Sequence, residues 1–106
     1  YGGFEGRGFR VVAVFDSNPQ KIGRQLARCN IRDIADLPDV VREMGIKVGI
    51  VAVPASAAQS VVEKLVEGGV EAILNYAPIS VIVPDGVHVQ HIDPVAHLQR
   101  MSYYLD

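Results

Sequence analysis

Ile46-Lys47-Val48-Gly49-Ile50-Val51-Ala52-Val53-Pro54 is an apolar run closed by a proline, and Ala55-Ser56-Ala57-Ala58-Gln59 follows it directly. A short β-branched run without polar alternation suits a strand buried on both faces, as in parallel sheets. Ser56 and Gln59 have the spacing of a capping box, in which two side chains satisfy each other's orphan backbone donors. Ala58, Val61, Val62, Leu65 and Gly69 then form the inner stripe of a helix, with Glu63, Lys64 and Glu67 toward water. Gly68-Gly69 stops that helix, and Val70 to Asn75 reads as the next strand. Strand, helix and strand in this order predict a parallel crossover unit.

The same logic extends in both directions. Upstream, Asp36 is the expected N-cap of a helix whose Leu37, Val40, Val41 and Met44 share one face, with Gly45 as a left-handed stop. Phe9 to Asp16 reads as another buried strand, preceded by a glycine-rich loop over residues 1–8. Ser17-Asn18-Pro19 is a turn, residues 19–22 suit one helical turn before Gly23, and residues 24–34 hold a short strand around Ile31. Downstream, Val81-Ile82-Val83 and Val87 to Ile92 read as short strands separated by the turn Pro84-Asp85-Gly86. Asp93 as N-cap and Pro94 at the first helical position open a last helix. The fold class is therefore α/β, a Rossmann-like parallel sheet with flanking helices and a C-terminal amphipathic helix.

Composition narrows the function. At 106 residues the chain makes one small core, and its net charge of −2 with ten scattered Lys and Arg assembles no basic face for nucleic acid. The lone Cys29 excludes an intramolecular disulfide. No apolar run reaches the ~20 residues of a membrane span, and the N-terminus is unlike a signal peptide. The expected compartment is the cytoplasm, with no membrane partner.

Open parallel sheets bind ligands outside the carboxyl ends of their strands. Asp16 ends the first strand, where an acid holds adenosine ribose hydroxyls and repels a 2′-phosphate; it is equally placed to make an Asx-turn with Asn18. Val53 and Pro54 end the second strand, where small residues let a nucleotide approach the backbone or simply turn the chain into the helix. Asn75-Tyr76-Ala77-Pro78 ends the third, either offering amide groups to a nicotinamide carboxamide or forming a packed loop. The glycine turn that holds a pyrophosphate belongs about 20 residues before the ribose acid. Gly2-Gly3-Phe4-Glu5-Gly6-Arg7-Gly8 has the wrong context, since it precedes a strand. The expectation is that the first strand and its glycine turn lie before residue 1.

Catalytic and metal-binding constellations are not found. His88 and His91 lie three apart on a strand and so point to opposite faces, His97 sits on the last helix, and Cys29 has no C-x-x-C partner. Val95, Leu98, Met101 and Leu105 recur at helical spacing beside Tyr103 and Tyr104, an apolar face that either packs on its own sheet or docks on a second subunit.

Tyr1-x-Gly3-Phe4, Gly8-Phe9-x-Val11-x-Ala13-x-Phe15-Asp16 and Asn18-Pro19-x-Lys21-Ile22-Gly23 together resemble the redox-sensing transcriptional repressor family Rex. The resemblance continues through Ala52-Val53-Pro54-Ala55-x-Ala57-Ala58-Gln59 and Gly69-Val70-x-Ala72-Ile73-Leu74-Asn75-Tyr76-Ala77-Pro78. It runs on through Val83-Pro84-x-Gly86-Val87 and His91-Ile92-Asp93 to Leu98-Gln99-x-x-Ser102-Tyr103-Tyr104-Leu105. It covers nearly the whole chain except Gln25 to Asn30.

The resemblance implies a homodimeric, non-enzymatic repressor that senses the NADH/NAD⁺ ratio, with a winged-helix DNA-binding domain and a C-terminal Rossmann-like domain. Residues 1–93 would be a partial NAD(H)-binding domain and residues 94–106 a dimerisation helix exchanged with the partner. Asp16 would bind adenosine ribose, Val53 and Pro54 would line the dinucleotide, and Asn75, Ala77 and Pro78 would border the nicotinamide. Asp93 would belong to the switch, and Val95, Leu98, Met101, Tyr103 and Leu105 to the dimer interface. With the winged helix and glycine turn outside it, the chain is expected to bind NAD(H) weakly or not at all, and operator DNA only through the missing domain. The alternative is a coenzyme A-binding domain of the succinyl-CoA ligase type, which usually carries an Ile-Thr-Glu-Gly-like segment where Asn75 to Pro78 stand. A dehydrogenase cofactor domain would bring a lysine between Asn75 and Pro84, and none is there.

Overall fold

A computed structural model describes residues 11–26 and 28–92. The chain divides between Leu37 and Pro38 into two compact units.

In the first unit, β1 (Val14–Asp16) pairs in parallel with β3 (Cys29–Asp33), placing Asp16 beside Asp33. β2 (Gln25–Leu26) pairs antiparallel with β3 in a tight hairpin, and Arg28 in its turn adopts a left-handed φ of 65°. The strand expected around Ile31 is therefore present, with a partner hairpin strand besides. Residues 19–23 form turns, without a regular helix, although the Asn18 carbonyl accepts from the amides of Lys21 and Ile22. Cys29 is half-buried, its thiol donating to the Val11 carbonyl at 3.6 Å.

A 3₁₀ turn (Ile34–Asp36) leads into helix α1 (Leu37–Met44). The cap differs from expectation: Asp33 accepts from the Ala35 amide, and Asp36 lies inside the turn. The acid three residues earlier caps because the helical path begins one 3₁₀ turn before the α-helix itself. Leu37, Val40 and Val41 are buried as expected, but Met44 is 47% exposed.

The second unit carries a fully parallel sheet of β4 (Val48–Val51), β5 (Ala72–Asn75) and β6 (His88–His91) in that spatial order. Its register aligns Val51, Asn75 and His91 at one end. Gly49, Val51, Ile73 and Asn75 are buried on one face, whereas Val48 and Ile50 are exposed on the other. The expectation of a strand buried on both faces thus holds for one face among the described residues. Val81-Ile82-Val83 forms no strand; the whole connection between β5 and β6 is irregular, turning at Gly86 with φ 94°.

Helix α2 (Ala55–Gly68) joins β4 to β5 and buries Ala58, Val61, Val62, Leu65 and Gly68. Gly69 terminates the helix at φ 107°, the stop expected at Gly68-Gly69, and so falls outside the inner stripe in which it was also counted. Its amide donates to the Val66 carbonyl and the Val70 amide to the Leu65 carbonyl, a Schellman closure. α1 ends the same way, with Gly45 and Ile46 donating to Arg42 and Val41. The capping box is not formed either: Pro54 sits at the N-cap without a side-chain cap, and Gln59 is engaged elsewhere. An extended Pro54 fixes the entry of the helix, so the Gln59 amide is not needed there.

Gly68 is where the two helices meet. A Cβ there would stand 2.6 Å from Val41 Cβ and 2.8 Å from the Pro38 carbonyl oxygen. One of these neighbours is backbone and cannot swing aside. Gly68→Ala therefore destabilises the protein by about 1–3 kcal/mol of overpacking, even though alanine is the better helix former. Urea unfolding of the variant against the parent measures this.

Candidate functional site

The crevice end of the second unit is built around one amide. Asn75 closes β5, is completely buried, and lies in register between Val51 and His91. Its Oδ1 accepts from the Ala77 amide at 3.0 Å, and its Nδ2 donates to the Ile79 carbonyl at 2.8 Å. Those two bonds fix which end of the amide is oxygen. The same Nδ2 lies 3.2 Å from His91 Nδ1, so that ring nitrogen must be the acceptor and the histidine proton sits on Nε2. The Ile79 amide in turn donates to the Ala77 carbonyl at 2.8 Å, closing a γ-turn centred on Pro78. Proline's fixed φ suits the centre of such a turn.

The consequence is a preformed loop. Ala77 is buried, Pro78 is exposed, and Tyr76 continues the sheet ladder by donating to the Val51 carbonyl at 2.7 Å. Val53 is half-buried and Pro54 exposed at the β4 end of the same edge. Of the residues singled out from the sequence, Val53, Pro54, Asn75, Ala77 and Pro78 therefore all follow the carboxyl ends of neighbouring parallel strands. The Asn75 amide, read as able to face a ligand, has each of its polar atoms engaged within the chain.

Asp16 ends β1 in the first unit. Its Oδ1 accepts from the Asn18 amide at 2.9 Å, the Asx-turn left open by the sequence. Its Oδ2 lies 3.8 Å from Lys21 Nζ, a loose and solvent-screened pairing. One carboxylate oxygen thus shapes the turn while the other faces a cation at the surface. Asp93, Val95, Leu98, Met101, Tyr103 and Leu105 lie outside the described residues. Among the described residues no group of His, Cys, Asp and Glu is gathered as for a metal ion, and no helix is long and apolar enough to cross a membrane.

Sequence reasoning missed two contributors. His91, to which the sequence assigns no role, contacts Asn75, a pairing that only the β5–β6 register reveals. Gln59 had been assigned to a cap and instead bonds both main-chain groups of Ile82, its Nε2 donating to the carbonyl at 2.9 Å and its Oε1 accepting from the amide at 2.8 Å. The long irregular segment ahead of β6 was the available signal that some side chain had to hold it.

A parallel sheet whose strands end in small residues and a framed loop, joined by a helical crossover, defines a Rossmann-like α/β fold. The chain belongs to the CoA binding domain family, whose sequence model matches residues 1–79. It is 50% identical over 105 residues to the redox-sensing transcriptional repressor Rex of Roseiflexus sp. (strain RS-1), covering 99% of this chain and 48% of that protein. It is 39% identical to the Rex repressor of Streptomyces coelicolor, covering 98% of this chain and 40% of the relative. Among solved structures it is similar to RSP, a Rex-family repressor, in complex with β-NADH, with a TM-score of 0.87 and 32% identity over 99% of this chain and 51% of that one. The same repressor in complex with β-NAD⁺ and operator DNA matches with a TM-score of 0.86. The chain spans about half the length of the curated relatives it matches.

Asn75 carries the stability of this edge. Asn75→Ala leaves the Ala77 amide and the Ile79 carbonyl without their partner, at a cost of about 2–4 kcal/mol. Asn75→Asp keeps the acceptor for Ala77 but sets a buried carboxylate against the Ile79 carbonyl. Protonation restores the donor, so the folded-state pKa of the introduced acid is raised. Its deficit relative to the parent is then smallest below the unfolded-state pKa and grows as pH rises. Parallel denaturation of both variants at about pH 4 and pH 7 tests the sign.

Proposed function

We propose that this chain is the NAD(H)-sensing and dimerisation domain of a Rex-type transcriptional repressor that responds to the NADH/NAD⁺ ratio. The observation that carries the reading is the similarity of 99% of the chain to a Rex-family repressor in its NADH complex, together with the framed loop at the sheet's carboxyl edge. In this reading the domain binds without turnover, in keeping with relatives named as repressors. Asp16 holds the adenosine ribose through the carboxylate oxygen that the Asx-turn leaves free. Val53 and Pro54 line the dinucleotide, and Ala77 and Pro78 border the nicotinamide. Asn75 contributes by fixing that border, since its own amide is already bonded.

The assembly follows the same proposal. The protein works as a cytoplasmic homodimer, with Val95, Leu98, Met101, Tyr103 and Leu105 at the interface and Asp93 in the switch between DNA-binding and released forms. Operator DNA is contacted by the part of the relatives' length that this chain does not span, and the 106 residues alone bind NAD(H) weakly or not at all.

The family's description as a CoA binding domain supports a second ligand, coenzyme A, which the Rex relatives do not favour. Titration of both ligands into the longest natural chain of this reading frame separates the two: NADH is expected to bind and coenzyme A not to compete. Binding of coenzyme A without NADH would replace the proposal with the ligase-type reading. Asp16→Ala should weaken NADH about tenfold, the scale of hydrogen bonds to a charged group. It should also narrow the gap to NADPH, because the repulsion of a 2′-phosphate is removed.

A further inference from the structure

The connection from Tyr76 to Val87 contains no regular secondary structure, yet it borders the edge assigned above to the nicotinamide. Its first part is held by Asn75 through Ala77 and Ile79. Its second part has a different anchor. Among the described residues, the hydrogen bonds that tie residues 80–87 to the rest of the unit are the two from Gln59 to Ile82. The other main-chain bond of that segment, from the Val87 amide to the Pro84 carbonyl, is internal to it.

Burial does not explain this anchor. Ile82 is 81% exposed, so its side chain contributes little hydrophobic holding force at the point where the clamp acts. Gln59 grips the residue by its backbone instead, donor to carbonyl and acceptor from amide, as a neighbouring β-strand would. A side-chain amide that copies strand pairing fixes both the position and the rotation of the peptide units it holds. Gln59 is itself rigidly placed, one residue beyond the fully buried Ala58 of α2.

We infer that Gln59 is a positioning residue for the nicotinamide half of the site: through Ile82 it holds the loop in which Pro78 presents its surface beside the buried Ala77. This rests on the NAD(H) reading above. With the clamp released, the segment after Ile79 keeps only the partial burial of Val81, Val83 and Val87 to hold it, and the γ-turn at Pro78 is less firmly restrained on that side. Affinity for the nicotinamide end falls, while the adenosine end, assigned to Asp16, is left as it was.

The test compares NADH with ADP-ribose, which lacks the nicotinamide, on the longest natural chain of this reading frame. Gln59→Ala is expected to weaken NADH about tenfold, the effect of losing two net hydrogen bonds, with ADP-ribose affinity unchanged. Gln59→Glu retains the size and the acceptor for Ile82 but has no donor for its carbonyl, and it should show the same selective loss. Equal loss of both ligands would mean general loosening of the fold and would overturn the inference, as would undiminished NADH binding by both variants. An unmodified chain that binds ADP-ribose but no NADH would instead overturn the NAD(H) reading itself.

Discussion

The buried amide of Asn75 is the constraint on which the carboxyl edge of the parallel sheet depends. A polar side chain with no solvent exposure is tolerable only when each of its groups is matched. Here the partners are the main chain of Ala77, the main chain of Ile79 and the ring of His91. An apolar residue of similar size would fill the same space but leave the two main-chain groups without partners. The residue is thus as much a part of the loop as of the strand. Matching it fixes the loop, the amide's orientation and the histidine tautomer together.

Other features place that amide. The parallel register brings Asn75 between Val51 and His91, and α2 packs on β4 beside it. Gly49 leaves room for Leu65 of α2 against β4, and Gly68 leaves room for Val41 and the Pro38 carbonyl where the two helices meet. Both helices then end in Schellman closures, so the strands following them begin at defined points. The edge that results is rigid through hydrogen bonds made inside the protein, which is what a site needs if ligand binding is not to bear the full cost of ordering a loop.

The regular elements were legible because their signals are local. Periodicity at Val61, Val62 and Leu65, the left-handed stop at Gly45 and the proline after β4 all act within a few residues. The β2–β3 hairpin was harder to read because its turn places Arg28 at φ 65°, where Asn or Gly would have announced it. Met44 lies in its helix as expected but is exposed, and Gly69 is the stop and not part of the buried stripe, because the apolar face runs out at a helix terminus. Val81 to Val83 has strand composition, but Gln59 satisfies Ile82 in place of a neighbouring strand. The strand-end residues were visible as candidates from the order of elements alone. What could not be read was which side chains frame that edge, because the bonds of Gln59 and His91 join residues far apart in sequence.

The central claim is that the loop from Ala77 to Ile82 is held in place before any ligand arrives, by two side-chain amides. Amide hydrogen exchange followed by NMR on the ligand-free protein addresses it at single residues. The account predicts that the amides of Ala77 and Ile82 are protected, with Ala77 approaching the protection of the β5 core, and that Ser80 and Asp85 exchange rapidly. Exchange of Ala77 and Ile82 at the rate of their exposed neighbours would contradict it, because the loop would then be ordered only by what binds it.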